Sequence, residues 1–171
     1  MKRFYLLSVL CVVMVCVVSS AAFGGFGMNP IFFADLCVSG SPQEIREALN
    51  SGVKWNELAW FTAVEQNPNV EVIRILLNDA KKNGVNLINR KDPTGETALS
   101  LAAGGNPNPA VIKFLIDSGA DVHTRDRNKA GPVSHAKLSK NRVRPRRNEV
   151  INEVIRILLA AGADDENPWN F

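Results

Sequence analysis

Few side chains in this 171-residue chain are suited to chemistry. It holds two histidines, His123 and His135, and three cysteines, Cys11, Cys16 and Cys37. No Gly-x-Ser-x-Gly elbow, no His-Glu-x-x-His pair and no phosphate-cradling glycine loop is present. A metal set drawn from Cys37, His123 and His135 would join residues far apart in the chain and on different elements. No catalytic residue, metal ligand, cofactor-binding residue or cofactor is therefore expected, and the chain does not read as an enzyme.

The charges say more. The formal net charge is +3, and Lys2 and Arg3 supply two of those charges. From Arg125 to Arg147 the basic residues are Arg125, Arg127, Lys129, Lys137, Lys140, Arg142, Arg144, Arg146 and Arg147, opposed in that stretch by Asp126 alone. Arginine donates two bonds at once to phosphate or carboxylate. A basic loop over residues 137–147, centred on Arg142, Arg144, Arg146 and Arg147, is thus a candidate anion-binding element for an anionic membrane, an envelope polymer or an acidic protein. A solvated surface loop is the competing reading. No aromatic residue is interleaved, so base stacking has no support and nucleic acid is disfavoured.

The elements that must carry these residues begin after an apolar N-terminus. Lys2 and Arg3 precede an almost unbroken apolar run from Phe4 to Val18, followed by the small residues Ser19-Ser20-Ala21-Ala22. That order predicts a secretory signal over 1–22, cleaved after Ala22 or Ser20, with an uncleaved anchor as the alternative. The expected location is the periplasm or the outside of the cell. Residues 23–29 read as a linker. Cys11 and Cys16 depart with the signal, so the remaining chain has one cysteine and cannot staple itself. Cys37 reads as a small buried core residue, with a reactive or dimer-forming thiol as the alternative.

Beyond the leader the chain repeats itself. Asn67-Pro68-Asn69-Val70-Glu71-Val72-Ile73-Arg74-Ile75-Leu76-Leu77 matches Asn106-Pro107-Asn108-Pro109-Ala110-Val111-Ile112-Lys113-Phe114-Leu115-Ile116. Glu153-Val154-Ile155-Arg156-Ile157-Leu158-Leu159 recurs late, and Glu44-Ile45-Arg46-Glu47-Ala48-Leu49 is a weaker early copy. Apolar pairs four apart, as in Val111, Ile112, Leu115 and Ile116, make one helical stripe. Gly52, Gly84, Gly119 and Gly162 follow these helices at intervals of 32, 35 and 43 residues and predict left-handed caps.

Asp92-Pro93-Thr94-Gly95-Glu96-Thr97-Ala98-Leu99-Ser100-Leu101-Ala102-Ala103 resembles the ankyrin repeat opening D-x-x-G-x-T-P-L-H-x-A-A. Gly119-Ala120-Asp121-Val122-His123 resembles that family's G-A-D-V-N, and Gly162-Ala163-Asp164 repeats its start. The resemblance spans Pro30 to Asp165 and implies an all-α solenoid of about four helix-turn-helix repeats joined by short fingers. The repeats fall at about 30–57, 58–91, 92–125 and 126–165 within a domain of 30–166, and 167–171 form a tail. Ile31-Phe32-Phe33-Ala34 opens the first repeat without a finger, as an N-terminal cap. In the fourth, Pro132 stands at the helix-starting proline position. Lys129 stands where glycine is expected, which puts that turn in question. About nine residues are inserted between Leu138 and Asn148 as the offset grows from 34 to 43.

The resemblance also implies a function. Such arrays hold protein partners through finger tips and inner helices, and the positions that correspond here are Trp55, Asn89, Arg90, Arg125 and Arg127. The expectation is a monomeric protein-interaction module with an unknown protein partner. Docking on an anionic surface through the basic loop is the alternative. Of the other aromatics, Trp60 and Phe61 open an inner helix with one of them in the core. Trp169 and Phe171 sit in the tail, either folded over the last helices or free for a partner.

Overall fold

The computed structural model describes residues 30–54, 56–140 and 145–165. The expected signal and linker, Trp55, Arg142, Arg144 and the 167–171 tail lie outside the described residues.

Eight helices run through the described residues: α1 (Pro30–Ser39), α2 (Pro42–Asn50), α3 (Glu57–Gln66), α4 (Val70–Lys82), α5 (Ala98–Gly105), α6 (Pro109–Asp117), α7 (Pro132–Lys140) and α8 (Pro145–Ala160). Their starts are written in the sequence. Asn56, Asn69, Thr97 and Asn108 cap α3, α4, α5 and α6 through side-chain oxygens that accept backbone N–H bonds. Ser41 and Glu44 form a reciprocal capping box on α2. Proline opens α2, α6, α7 and α8, where the missing N–H is no loss.

The helices stack in two rows. The inner row is α1, α3, α5 and α7, each packed on the next; the outer row is α2, α4, α6 and α8. Small buried residues line the inner row: Ala34 and Cys37, Ala59 and Ala63, Ala98 and Ala102, and Ala136. Small side chains let neighbouring helices approach closely. Larger buried residues in one shared register, Phe33, Trp60, Leu99 and Val133, fill the space left, joined on α3 by Val64. The outer helices bury the stripes read from the sequence, Val72, Ile73 and Leu76 on α4 and Val111, Ile112 and Leu115 on α6. Phe61, next to the fully buried Trp60, packs against the core from a half-buried position. The fold is the expected all-α solenoid.

All four glycines that follow outer helices have positive φ, as expected. The residue after each donates to the carbonyl five back: Val53 to Ala48, Val85 to Ala80, Ala120 to Leu115 and Ala163 to Leu158. That bond closes a Schellman cap in every repeat. In the first repeat Ile31 and Phe32 are 61% and 60% exposed, while Phe33 and Ala34 turn inward; among the described residues no helix packs on the far side of α1.

In the second and third repeats the turn from inner to outer helix is three residues long and its first residue, Asn67 or Asn106, is buried. Asn67 and Asn106 satisfy it. The Asn67 carboxamide donates to the carbonyls of Cys37 (2.9 Å) and Gly40 (3.3 Å) in the preceding repeat. Asn106 makes the same bonds one repeat later, to Val64 (2.8 Å) and Asn67 (2.9 Å). Each side-chain oxygen accepts from the residue two on, Asn69 or Asn108. Both asparagines are almost fully buried. Truncating one leaves buried carbonyls of the preceding repeat without their donor. Asn106→Ala is expected to cost about 2–4 kcal/mol in urea unfolding, whereas Asn78→Ala, on an exposed face of α4, should cost under about 0.5 kcal/mol.

Cys37 is fully buried on α1, and burial pushes its thiol from 9.0 up to about 12. The raised value means that the folded chain keeps a proton that the unfolded chain releases. Its contribution to stability is complete below pH 9 and is lost as pH rises toward 12. At pH 8 a thiol reagent should label the native chain many times more slowly than the chain in denaturant. Equal rates would show that Cys37 is accessible.

Candidate protein-interaction surface

The fingers join each outer helix to the next inner helix. The third opens with Asp92, whose Oδ1 accepts from the backbone N–H groups of Thr94 (2.9 Å) and Glu96 (2.9 Å). The fourth repeats this at Asp126, which accepts from Asn128 (2.7 Å) and Ala130 (2.8 Å). Gly95 turns the third finger at φ +89°, and its Cα faces the Arg127 backbone so closely that an added Cβ would lie 3.1 Å from that nitrogen. Lys129 turns the fourth at φ +63°. The turn in question therefore forms, with lysine in a left-handed conformation that suits glycine.

Neighbouring fingers are bonded into a continuous edge. Asn89 donates to the Gly119 carbonyl (3.1 Å) and accepts from the Asp121 N–H (2.8 Å). The Lys91 ammonium donates to the Arg125 carbonyl (2.7 Å), and the Arg127 N–H reaches the Thr94 carbonyl (3.4 Å). At the far end Asp164 sits between His123 (3.3 Å) and Arg125 (2.8 Å), and Lys137 pairs with Asp165.

Below the finger edge the inner helices enclose a hollow of about 200 Å³. Glu65 from α3 and Glu96 from the third finger wall it, with Ser100, Gly104 and Gly105 of α5 as the floor and His135 of α7 opposite. The narrow floor requires glycine at 105, since a Cβ there would lie 2.4 Å from Cγ of Glu65. His135 is flanked by two carboxylates. Its Nδ1 lies 3.1 Å from Glu96 Oε1, and its Nε2 lies 3.1 Å from Asp126 Oδ2. The three side chains are 15%, 20% and 4% exposed, so the contact is largely sheltered. A second hollow, of about 520 Å³, lies on the outer row, where the Arg74 guanidinium stacks 4.7 Å above the Phe114 ring.

The sequence-selected residues fall into three groups. Asn89, Arg90, Arg125 and Arg127 share the finger edge, but three of them are engaged within it. The Asn89 carboxamide is used at both ends, Arg90 pairs with Glu57 at 2.5 Å, and Arg125 pairs with Asp164. The Arg127 side chain is exposed. The second group is the basic segment, and here the expected loop is corrected. Helix α7 continues through Lys140 and α8 begins at Pro145, so Arg146 and Arg147 belong to the first turn of α8. Proline is preorganised for a helix start, which is why the helix reaches back into the insertion. Trp55, Arg142 and Arg144, outside the described residues, form the third group. Sequence reading missed the Glu96–His135–Asp126 contact, because the partners lie on different elements and only the stacking register brings them together.

Lys129 supplies a test of the finger. Glycine at this position relieves the left-handed strain but adds freedom to the unfolded chain. Lys129→Gly should therefore stabilise the chain by up to about 1 kcal/mol in urea unfolding. A loss of stability would mean that the lysine side chain holds the finger through its own contacts.

A family model described as ankyrin repeats in three copies matches residues 28–126. No curated protein matches the chain.

Proposed function

The chain belongs to the ankyrin repeat family, whose repeats are in general protein–protein interaction modules, and from that premise we propose that it is a protein-binding scaffold acting in the periplasm or outside the cell. The family is typically a non-enzymatic scaffold, and the proposal assigns no reaction. The observation that carries it is the bonded finger edge. Finger-to-finger hydrogen bonds from Asn89, Lys91 and Arg127 hold the tips in place before any partner arrives. A partner then loses less free energy in ordering the surface. Arg127 and Lys129 stand exposed on that edge, above the inner-row hollow. Arg90 and Arg125 join the contact where a partner carboxylate replaces Glu57 or Asp164. The chain acts as a monomer in this reading, and the apolar run from Phe4 to Val18 supports export.

A second reading draws on α8. Its first turn holds Arg146 and Arg147 and no acidic residue, so the sequence there is strongly basic. That arrangement favours an anionic membrane or envelope polymer as the docking surface.

Crosslinking and affinity capture from the native cell envelope decide between them. The proposal expects a crosslinked protein partner that is lost with Arg127→Glu. Retention on anionic lipid, abolished at about 0.5 M salt, where exposed charges are screened, and accompanied by no protein partner, would overturn it in favour of the second reading.

A further inference from the structure

We propose that the hollow of about 520 Å³ on the outer row is a second docking surface, which takes a protein segment bearing an apolar side chain between two carboxylates. It lies where α4 meets α6, and it is distinct from the finger edge on which Arg127 and Lys129 stand. Its centre is apolar. Leu77, Val85 and Phe114 border it, each half-buried against the core. Two cations border it as well. Arg74 and Lys81 lie seven residues apart on α4, and two helical turns place them on one face about 10 Å apart. No carboxylate is among the residues that line the hollow.

Both cations have bonding capacity to spare. Arg74 pairs with Glu71 through Nε at 3.2 Å, and its guanidinium stacks 4.7 Å above the Phe114 ring. Its two terminal amino groups have no hydrogen-bond partner among the described residues. Those groups form the fork that takes a carboxylate through two parallel bonds. Glu71 does not cancel the charge, because it also pairs with Arg46 at 2.5 Å and so serves two guanidiniums. The Lys81 ammonium is exposed and has no partner among the described residues. Stacking on Phe114 holds Arg74 in place before a partner arrives, which lowers the cost of ordering it.

The pattern selects a peptide. A simple anion would meet the cations and leave the apolar centre in water. An extended segment meets both, because its alternate side chains share one face. Glu-x-Leu-x-Glu sets leucine over Leu77, Val85 and Phe114 and turns a carboxylate toward each cation. Its two acidic positions are about 13 Å apart, within reach of the long arginine and lysine side chains.

The test follows the full chain by amide NMR during titration with acetyl-Glu-Ser-Leu-Ser-Glu-amide. The signals of Asn78, Val85 and Ser118, which rim the hollow, should move. A peptide with glutamine for both glutamates, and another with serine for leucine, should each bind at least about fivefold more weakly. Lys81→Gln and Arg74→Gln, at exposed side chains, should each weaken the acidic peptide about two- to fivefold. Arg127→Glu should leave its binding unchanged, so that this surface and the finger edge stand or fall separately. No movement at millimolar peptide, equal binding of the glutamine peptide, or movement centred on Arg127 and Lys129 would overturn the site.

Discussion

The first and second repeats leave carbonyls at the end of their inner helices, inside the stack. Those carbonyls must be paired, because a buried unpaired one costs about as much as several surface contacts return. The chain pairs them from the next repeat, through the carboxamides of Asn67 and Asn106. The rest of the array follows from this. Inner helices must lie close enough for a short side chain to cross, so their facing residues are alanine, cysteine and serine. The larger buried residues of this row share one register, apart from Val64 on α3. A repeat taken alone could complete neither its hydrogen bonds nor its apolar stripe, and stability belongs to the stack.

Much of this was legible in the sequence, for physical reasons that differ by element. Outer helices announce themselves because a stripe that faces one neighbour has helical spacing. The caps were legible because only glycine takes the left-handed turn at little cost. The doubled Asn-Pro-Asn was visible as a repeat marker, yet its bonds were not, since they depend on which carbonyls the stack buries. The Glu96–His135–Asp126 contact was invisible for a related reason. Glu96 corresponds to Ala130 in the next repeat, so no repeated motif marks it. The ion pairs of Arg125 and Lys137 were hidden too, because their partners Asp164 and Asp165 come from the segment after α8, about 30–40 residues further along the chain.

The fourth repeat departs from its neighbours in a consistent direction. Its finger turns on lysine, α8 is the longest described helix at 16 residues, and it lies beyond the family match that ends at 126. Its described contacts to the third repeat include the carboxylate-flanked His135 and the Asp164 cluster. Asn141, the residue after α7, lies outside the described residues. Polar contacts thus gather where the repeat pattern is weakest. Such contacts depend on salt and bound ions in a way that buried apolar contacts do not.

The asparagine bridges also give the array a direction. Asn67 and Asn106 each reach from a later repeat to an earlier one. The two ends of the molecule are therefore not equivalent under truncation or during synthesis. A ribosome releases the acceptor carbonyls first and the donor carboxamide afterwards, so each newly emerged repeat completes the one already made. Pulling the chain from its C-terminus would undo these bridges in sequence. Pulling from the N-terminus would instead leave each donor seated in a repeat that is still stacked.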